Sequence, residues 1–363
     1  MNAGRCRVCV FGERLAPPAD EGIKKLTLSI ASAYRSLGHD VLLLTTGAPD
    51  WPEQDARSVE ANRLLRSTGL ASALARFRPD VIIYVPTASL TLASGLRSRT
   101  LRRYAGAPVA LVATQGRHHN ALVRLAAPFV APDLCLTFAA HTRAQARALG
   151  WPAAQVPPGV DLQAFRPVPS PEKAALRARF GLPADAFVVL HVGHLNRRRG
   201  VPELALIAGS ALPVLAASTS TARDEGLAEE LRSVGAIVLD DYIPDIASLY
   251  AASDAYLFPV PPNPLAPSSI DVPLSVLEAA ACGLPVVARR FGALPELWPD
   301  AQGVFFYDGP EQLRETVESI RAMSPRAWNT RALVAPFDWR GVAAGMLDAL
   351  GRERGPAALE KQP

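Results

Sequence analysis

Short apolar runs alternate along the chain with segments whose apolar residues recur at helical spacing. The first half has predicted strands at 5–11, 40–45, 80–85, 108–113 and 134–138. The second half repeats the pattern, with predicted strands at 187–192, 237–239, 255–258 and 285–287. A helix is predicted at 24–37, between the first two strands. Strands that alternate with helices in this way form parallel sheets with helices on both faces. We therefore expect an α/β protein with two doubly wound, Rossmann-like domains.

Length and proline placement also predict two domains. A chain of 363 residues exceeds the roughly 250–300 residues that one hydrophobic core usually supports. Prolines cluster at 166–171, as in an extended, semi-rigid linker. We expect domains at 1–168 and 169–336, a last helix at 337–352, and a disordered Gly- and Pro-bearing tail at 353–363.

The four cysteines are expected to be core residues. Cys6 and Cys9 are three positions apart on a predicted strand, so they point to opposite faces, and no second pair completes a zinc site. Cys135 and Cys282 also lie in apolar settings, so no disulfide framework is implied and a cytoplasmic protein is expected. No apolar run reaches the roughly 20 residues that a transmembrane helix needs.

Positive charge is unevenly placed, although the net charge is only +4. Four arginines share one predicted helix of the first domain: Arg97, Arg99, Arg102 and Arg103. They form either a solvated basic face or a contact with an anionic partner, which would be an acceptor or a membrane. In the membrane case, the protein would be peripheral at the inner face of the membrane. Nucleic acid is not expected as a partner, because no aromatic side chains interleave with these cations.

The segment 270–288 has the features of a phosphate and ribose site. A helix is predicted at 273–282, with Asp271 as a possible cap and Gly283 as a left-handed stop. The free N–H groups at such a helix start, those of Leu274 to Val276 here, favour an anion such as a nucleotide diphosphate. Glu278 lies one turn inside, where its carboxylate is placed for a ribose diol. An ordinary helix–loop–strand unit is the alternative interpretation.

A second segment, 188–200, runs from a predicted strand into a turn at Gly193. The turn is followed by Arg197, Arg198 and Arg199. Guanidinium groups just beyond a strand end suit bidentate recognition of phosphate. The two segments together therefore predict a site for a diphosphate in the second half of the chain.

These segments resemble the motifs of retaining glycosyltransferases of family 4, the glycosyl transferases group 1. The first motif is matched by Gly193, Leu195, Arg199 and Gly200, and the second by Leu277, Glu278, Ala279, Ala281, Gly283, Pro285 and Val286. Weaker matches lie in order at 37–41, 158–167, 245–254 and 292–296. The resemblance thus covers nearly the whole chain.

The resemblance implies a GT-B fold, with two Rossmann-like domains facing across a cleft and a last helix that crosses back to the first domain. It also implies transfer of a sugar, with retention of configuration, from a UDP- or GDP-linked donor to a glycan, lipid-linked or small-molecule acceptor. The donor-binding residues would be Gly193, His194, Arg197, Asp271, Leu274, Ser275, Val276 and Glu278. No cofactor is expected, and no metal, since no Asp-x-Asp motif stands at a strand end.

Two positions depart from the family pattern. Ile270 stands where the family has its first Glu, and the nearest acid is Asp271. His194 replaces the usual Arg, and a histidine with its ordinary pKa near ~6.5 is only partly charged at neutral pH. We hypothesise that Arg197 or Arg198 supplies the missing charge. A nucleotide-sugar epimerase of the same fold and a catalytically silent partner subunit remain alternatives.

The acceptor side is expected in loops of the first domain. Gln115 falls where the family often has a histidine, and His118 and His119 follow in the same loop, 114–120. We expect catalysis to involve His118 together with Arg198 and Arg199. The remaining acceptor and loop residues are expected to be Glu21, Gly22, Lys24, Gln115, Arg117 and His119.

Overall fold

The computed structural model describes residues 5–262, 270–299, 302–323 and 328–354. Of these, 5–159, 270–272 and the residues from Trp339 onward form one compact unit, and the others form a second. The predicted disordered tail lies outside the described residues, except for its first two residues, which end the last helix.

The first unit is built on a parallel sheet of seven strands in the order β3-β2-β1-β4-β5-β6-β7. The strands are β1 Arg7–Glu13, β2 Asp40–Thr46, β3 Ala56–Ser58, β4 Val81–Val85, β5 Val109–Ala113, β6 Leu134–Thr137 and β7 Ala153–Gln155. The helices are α1 Gly22–Ser36, α2 Thr68–Phe77, α3 Leu92–Ala105, α4 Ala121–Ala126 and α5 Ala140–Ala148, with α13 Trp339–Arg354. Every residue of β4 and β5 is buried, as expected for strands covered by helices on both faces.

The second unit has a parallel sheet of six strands in the order β10-β9-β8-β11-β12-β13. They are β8 Val188–Gly193, β9 Leu212–Ala217, β10 Ile237–Leu239, β11 Ala255–Phe258, β12 Val286–Ala288 and β13 Val304–Phe306. The helices are α6 Ser170–Arg179, α7 Leu227–Ser233, α8 Ile246–Ala252, α9 Leu274–Ala281, α10 Leu294–Leu297, α11 Pro310–Ala322 and α12 Thr330–Val334. The two predicted parallel-sheet units are thus confirmed.

Strand order places one switch point in each sheet. The chain reverses direction across the sheet between β1 and β4 in the first unit, and between β8 and β11 in the second. Ligands of open α/β sheets bind beyond the carboxyl ends of the strands at such points. The turn after β8, which carries the predicted arginines, therefore lies where a ligand site is expected.

Two of the places where the chain passes from one unit to the other, after Gly159 and before Trp339, lie next to each other. Gly159 lies against Trp339, and a Cβ at Gly159 would be 2.2 Å from the indole ring, so only glycine fits. One residue further into the second unit, Val160 pairs with Asp338, and the Val160 N–H donates to the carbonyl of Phe337 at 2.8 Å. In the described part of the chain, no helix combines the length and apolar character needed to cross a bilayer.

Candidate functional site

The turn after β8 is pressed against the residue that follows β11. Asn196 caps a short 3-10 helix, Arg197–Arg199, by accepting a hydrogen bond from a backbone N–H. Gly200 ends it with a φ of 73°, and a Cβ there would lie 2.1 Å from the carbonyl oxygen of Pro259. Glycine is therefore required twice over, by backbone conformation and by space. Gly193 closes β8 at the start of the same turn.

The three arginines of this turn have different surroundings. Arg197 is exposed and forms an ion pair with Glu230, and its backbone N–H donates to Asp224 at 2.7 Å. Arg198 is exposed. Arg199 is half-buried, and burial lowers the pKa of its guanidinium. Arg197 is exposed and pairs with a carboxylate, whereas Arg199 is the most buried arginine of the turn, so Arg199 with its neighbour Arg198 is the better candidate to meet a phosphate.

A buried histidine that the sequence analysis missed lies beneath the turn. His191 Nδ1 lies 2.9 Å from the carbonyl oxygen of Leu257, which can only accept, so Nδ1 carries the proton. Nε2 has no hydrogen-bond partner among the described residues, and it would lie 2.9 Å from a Cβ at Gly193. Burial, with smaller effects of His194 and Arg199, lowers the pKa of His191 to about 4. A histidine inside an apolar strand was the available signal.

Helix α9 begins one residue later than predicted. Pro273 is its N-cap rather than its first residue, and no side chain in the described part of the chain caps it. The expected cap from Asp271 is therefore wrong. The N–H of Val276 already donates to the carbonyl of Pro273 at 3.1 Å. An anion at this helix start would consequently rely on the amides of Leu274 and Ser275.

Glu278 lies in the buried part of α9. Its carboxylate accepts a hydrogen bond from the hydroxyl of Tyr250 at 2.9 Å. Burial and the nearby Glu278 charge raise the Tyr250 pKa well above its usual value. Tyr250 stacks on Tyr256 with ring centroids 5.7 Å apart, and Tyr256 in turn hydrogen-bonds with Ser275. Glu278, the residue predicted to bind the ribose, is thus held by Tyr250, which itself packs against Tyr256.

Asp271 belongs to the first unit. Thr142 donates its hydroxyl proton to Asp271, and the backbone N–H of Asp271 donates to the carbonyl of Thr114 at 2.7 Å. His141 Nε2 lies 3.4 Å from Asp271 Oδ1, and the histidine ring is 45% exposed whereas the carboxylate is 8% exposed. Asp271 is therefore held by the residue that follows β5 and by two residues of helix α5. His141 was missed because its partner is distant in sequence, although a histidine just after a predicted strand was visible.

The loop that follows β5 is fixed by main-chain contacts. The Gln115 carbonyl accepts from the Ser89 hydroxyl at 3.2 Å. Gly116 lies so close to Gln145 that a Cβ would be 2.3 Å from its side-chain oxygen, which also accepts from the Arg117 N–H at 2.8 Å. The predicted acceptor loop is therefore seated on α5, next to the residues that hold Asp271.

The two histidines of this loop differ. His118 is exposed. His119 is half-buried, and burial together with the charges of Arg117 and Arg124 lowers its pKa. The Nε2 atom of His119 has no hydrogen-bond partner among the described residues. His119 is thus expected to be uncharged at neutral pH.

The predicted loop at the start of α1 is held by an ion pair. Lys24 is nearly buried, and its Nζ lies 3.1 Å from Glu21 Oε1 and 3.3 Å from the carbonyl of Pro18. A Cβ at Gly22 would make an ordinary contact, 3.4 Å, with the side chain of Ile270. The charge of Lys24, in the first turn of α1, is consequently neutralised by Glu21.

The predicted basic face on α3 is partly neutralised. Arg97 pairs with Glu13 at 2.8 Å, and Glu13 also accepts from the hydroxyl of Tyr84. Arg102 pairs with Asp133 at 2.8 Å. A fully solvated basic face is therefore wrong for two of the four arginines.

None of the four cysteines forms a disulfide within the described residues, and Cys6 is half-buried rather than a core residue. Cys9, Cys135 and Cys282 are buried, and burial raises the thiol pKa in each case, to about 12 for Cys282. Among the described residues, no three His, Cys, Asp or Glu side chains are grouped to hold a metal ion.

The turn after β8 and helix α9 decide the family. Residues 186–322 match the family model for glycosyl transferases group 1. This part of the chain is therefore similar to the glycosyl transferases group 1. The match contains both segments on which the resemblance rested, so the expected family is confirmed.

Curated relatives are similar to part of this chain. A D-inositol 3-phosphate glycosyltransferase from Acidothermus cellulolyticus is 32% identical over 235 residues, which are 57% of this chain and 50% of the relative. The chain spans about half the length of the curated relatives that it matches.

Solved structures extend the likeness to the rest of the chain. A sucrose-phosphate synthase from Thermosynechococcus elongatus gives a TM-score of 0.71 at 19% identity, covering 95% of this chain and 98% of that one. HepE from Anabaena, in complex with UDP and glucose, gives a TM-score of 0.71 at 18% identity, covering 95% and 99%. At these identities the likeness shows the fold alone, and it confirms the predicted GT-B fold.

Proposed function

We propose that the protein is a glycosyltransferase that moves a sugar from a nucleoside diphosphate sugar to an acceptor hydroxyl. The observation that carries the proposal is the turn after β8, which places Arg198 and Arg199 at the switch point of the second sheet. The curated relatives are named glycosyltransferases, and a protein of the same fold was solved with UDP and glucose. These names support a UDP-linked donor.

The chemistry requires stabilisation of a departing diphosphate. Arg199 and Arg198 supply fixed positive charge, and the amides of Leu274 and Ser275 supply donors at the start of α9. The half-buried position of Arg199 strengthens its field, because a charge in a less polar environment is screened less. Glu278, whose carboxylate accepts a hydrogen bond from Tyr250, would accept a second one from a ribose hydroxyl.

Retention of configuration and independence from metal are parts of the same proposal. Leaving-group charge can be met by arginines and helix amides without a cation, and attack from the leaving-group face needs no protein nucleophile. The acceptor would be a glycan, a lipid-linked molecule or a small molecule, bound by the loops that carry Gln115, Arg117 and His118 with Gly22 in the first unit.

Calorimetry and product analysis test the proposal. We expect UDP to bind more tightly than GDP or ADP, and we expect mass spectrometry to find a glycosylated product from an acceptor library. Proton NMR of that product would show the anomeric configuration of the donor. Loss of transfer with a chelator and recovery with manganese would contradict metal independence.

The alternative functions give different results in the same experiments. An epimerase would convert the donor sugar without any acceptor, and a silent subunit would bind nucleotide weakly and form no product. Absence of nucleotide binding at millimolar concentration would refute the transferase proposal.

A further inference from the structure

Three large apolar side chains point outward from one short stretch of the first unit. Leu122 is 76% exposed, Leu125 is 72% exposed and Phe129 is 72% exposed. They lie on α4 and on the 3-10 helix Ala127–Val130 that continues it. We call these three side chains the apolar ridge. Single exposed leucines are ordinary on protein surfaces, but a group of this kind marks an interaction site.

The segment that carries the ridge is itself well seated. Ala127 is fully buried, and Val123 and Val130 pack against the core of the first unit. The inner face of the segment therefore supplies the packing that holds it, and the ridge residues contribute apolar surface only to the outside. Their spacing of three and then four residues keeps them on one face of a helical segment.

The charged residues of the chain segment that carries the ridge are all positive. Between Asp80 and Asp133 the sequence has no Asp or Glu, and it has six arginines: Arg97, Arg99, Arg102, Arg103, Arg117 and Arg124. Acids outside this stretch pair with Arg97 and Arg102. Arg99 is joined directly to the ridge, because its guanidinium donates to the carbonyl of Phe129. Arg124 is exposed on α4 itself, between Leu122 and Leu125.

We propose that the apolar ridge docks on an anionic phospholipid bilayer. Leu122, Leu125 and Phe129 would enter the region between headgroups and acyl chains, while Arg99 and Arg124 would meet lipid phosphates. A protein partner is less suited, since three side chains are too few for the roughly 800 Å² that each partner buries in a stable complex. The binding does not require glycosyl transfer.

One consequence rests on the proposed function. The loop that carries Gln115, Arg117 and His118 leads directly into α4. A docked ridge would therefore hold the predicted acceptor loop at the membrane surface, where a lipid-linked acceptor is found.

Vesicle flotation of the full chain tests the docking. We expect binding to vesicles of phosphatidylcholine mixed with phosphatidylglycerol, weaker binding in high salt, and little binding to phosphatidylcholine alone. Replacing all three ridge residues (Leu122→Ser, Leu125→Ser, Phe129→Ser) should weaken binding by about tenfold or more. A matched variant, Val234→Ser, changes an exposed apolar residue of the second unit and should bind like the wild type.

Three results would overturn the docking. They are wild-type protein that stays unbound, a triple variant that binds as well as the wild type, and a wild-type dimer that the triple variant converts to monomer in mass photometry. Phe129→Trp gives an independent readout, because its fluorescence should shift to the blue only with anionic vesicles. Nucleotide binding in solution should be unchanged in the triple variant, so failure of the docking and failure of the proposed transferase are separable.

Discussion

The imidazole of His141 lies with Nε2 3.4 Å from Oδ1 of Asp271, a carboxylate that is almost fully buried. Asp271 is fixed on its other side by Thr142, while the histidine is close to half exposed. An accessible histidine oriented by a buried carboxylate is an arrangement that enzymes use to position a proton acceptor. The pair lies beside the predicted acceptor loop.

We therefore expect His141→Gln and Asp271→Asn each to lower kcat by about tenfold to a hundredfold with little change in the affinity for UDP. If the two residues act as a unit, the double variant should be no slower than the worse single variant. Kinetics with saturating donor measure this. Asp55→Asn, which removes an exposed carboxylate of the first unit, is the control. If the losses of kcat in the two single variants add up in the double variant, His141 and Asp271 do not act as a unit.

The turn after β8 should not tolerate a side chain at Gly200. Gly200→Ala adds a Cβ 2.1 Å from the carbonyl of Pro259 at a φ of 73°. We expect a loss of stability of about 2–4 kcal/mol and a large loss of UDP affinity. Thermal unfolding and calorimetry measure the two effects.

Two other glycines of the second unit separate the effect of the left-handed φ from the effect of the contact with Pro259. Gly181→Ala introduces a left-handed alanine with nothing within 4 Å, so it should cost about 1 kcal/mol. Gly209→Ala has open space and no left-handed φ, and should be neutral. Equal losses in Gly200→Ala and Gly181→Ala would show that the contact with Pro259 is unimportant.

Replacing Arg199 and replacing Arg197 should have different effects on UDP affinity, because the two side chains have different surroundings. Arg199→Gln should weaken UDP binding by about tenfold or more, since it removes a half-buried cation at the predicted phosphate site. Arg197→Gln should change UDP affinity by less than about threefold and barely affect stability, because exposed ion pairs contribute about 0–1 kcal/mol. Calorimetric titration of both variants decides the assignment. The reverse order of effects would assign the phosphate to Arg197.

Burial of His191 should make the stability of the protein depend on acid. The folded-state pKa of His191 is about 4, and its ordinary value is about 6.5. The unfolded chain therefore binds a proton that the folded protein refuses, so stability is fully present above about pH 6.5 and is lost as pH falls toward 4. The loss is on the order of 3 kcal/mol at pH 4.

His191→Phe should remove this part of the acid dependence, whatever its effect on stability at neutral pH. Urea unfolding at several pH values measures it. His118→Gln changes an exposed histidine and should leave the dependence intact. An unchanged acid dependence in His191→Phe would mean that other groups cause it.

Nine strands and both switch-point motifs could be predicted from the sequence, because they are carried by local patterns. The strand β9 was missed because Pro213 lies in it, and proline usually argues against a strand. In the structure Pro213 pairs in register with Val189. The strands β3 and β7 were missed because each is a three-residue segment with polar residues, Ala-Arg-Ser and Ala-Ala-Gln, and lacks the apolar run that marked β10 and β12. The strand β13, Val-Phe-Phe, was missed although it is such a run.

The candidate site was predictable only where its residues are neighbours in sequence. Glu278 and the start of α9 follow from helix chemistry, and their position is close to the prediction. The partner of Asp271 could not be inferred, because Thr142 lies 129 positions away. Likewise, the pairing of Arg197 with Glu230 depends on how α7 packs, which no local pattern encodes.

The bridge between Val160 and Asp338 brings the two main ends of the second unit side by side. A module whose entrance and exit coincide can be exchanged between relatives with little disturbance to the host. Under the proposed function, recombination at these junctions would combine the donor site of one parent with the predicted acceptor loop of the other.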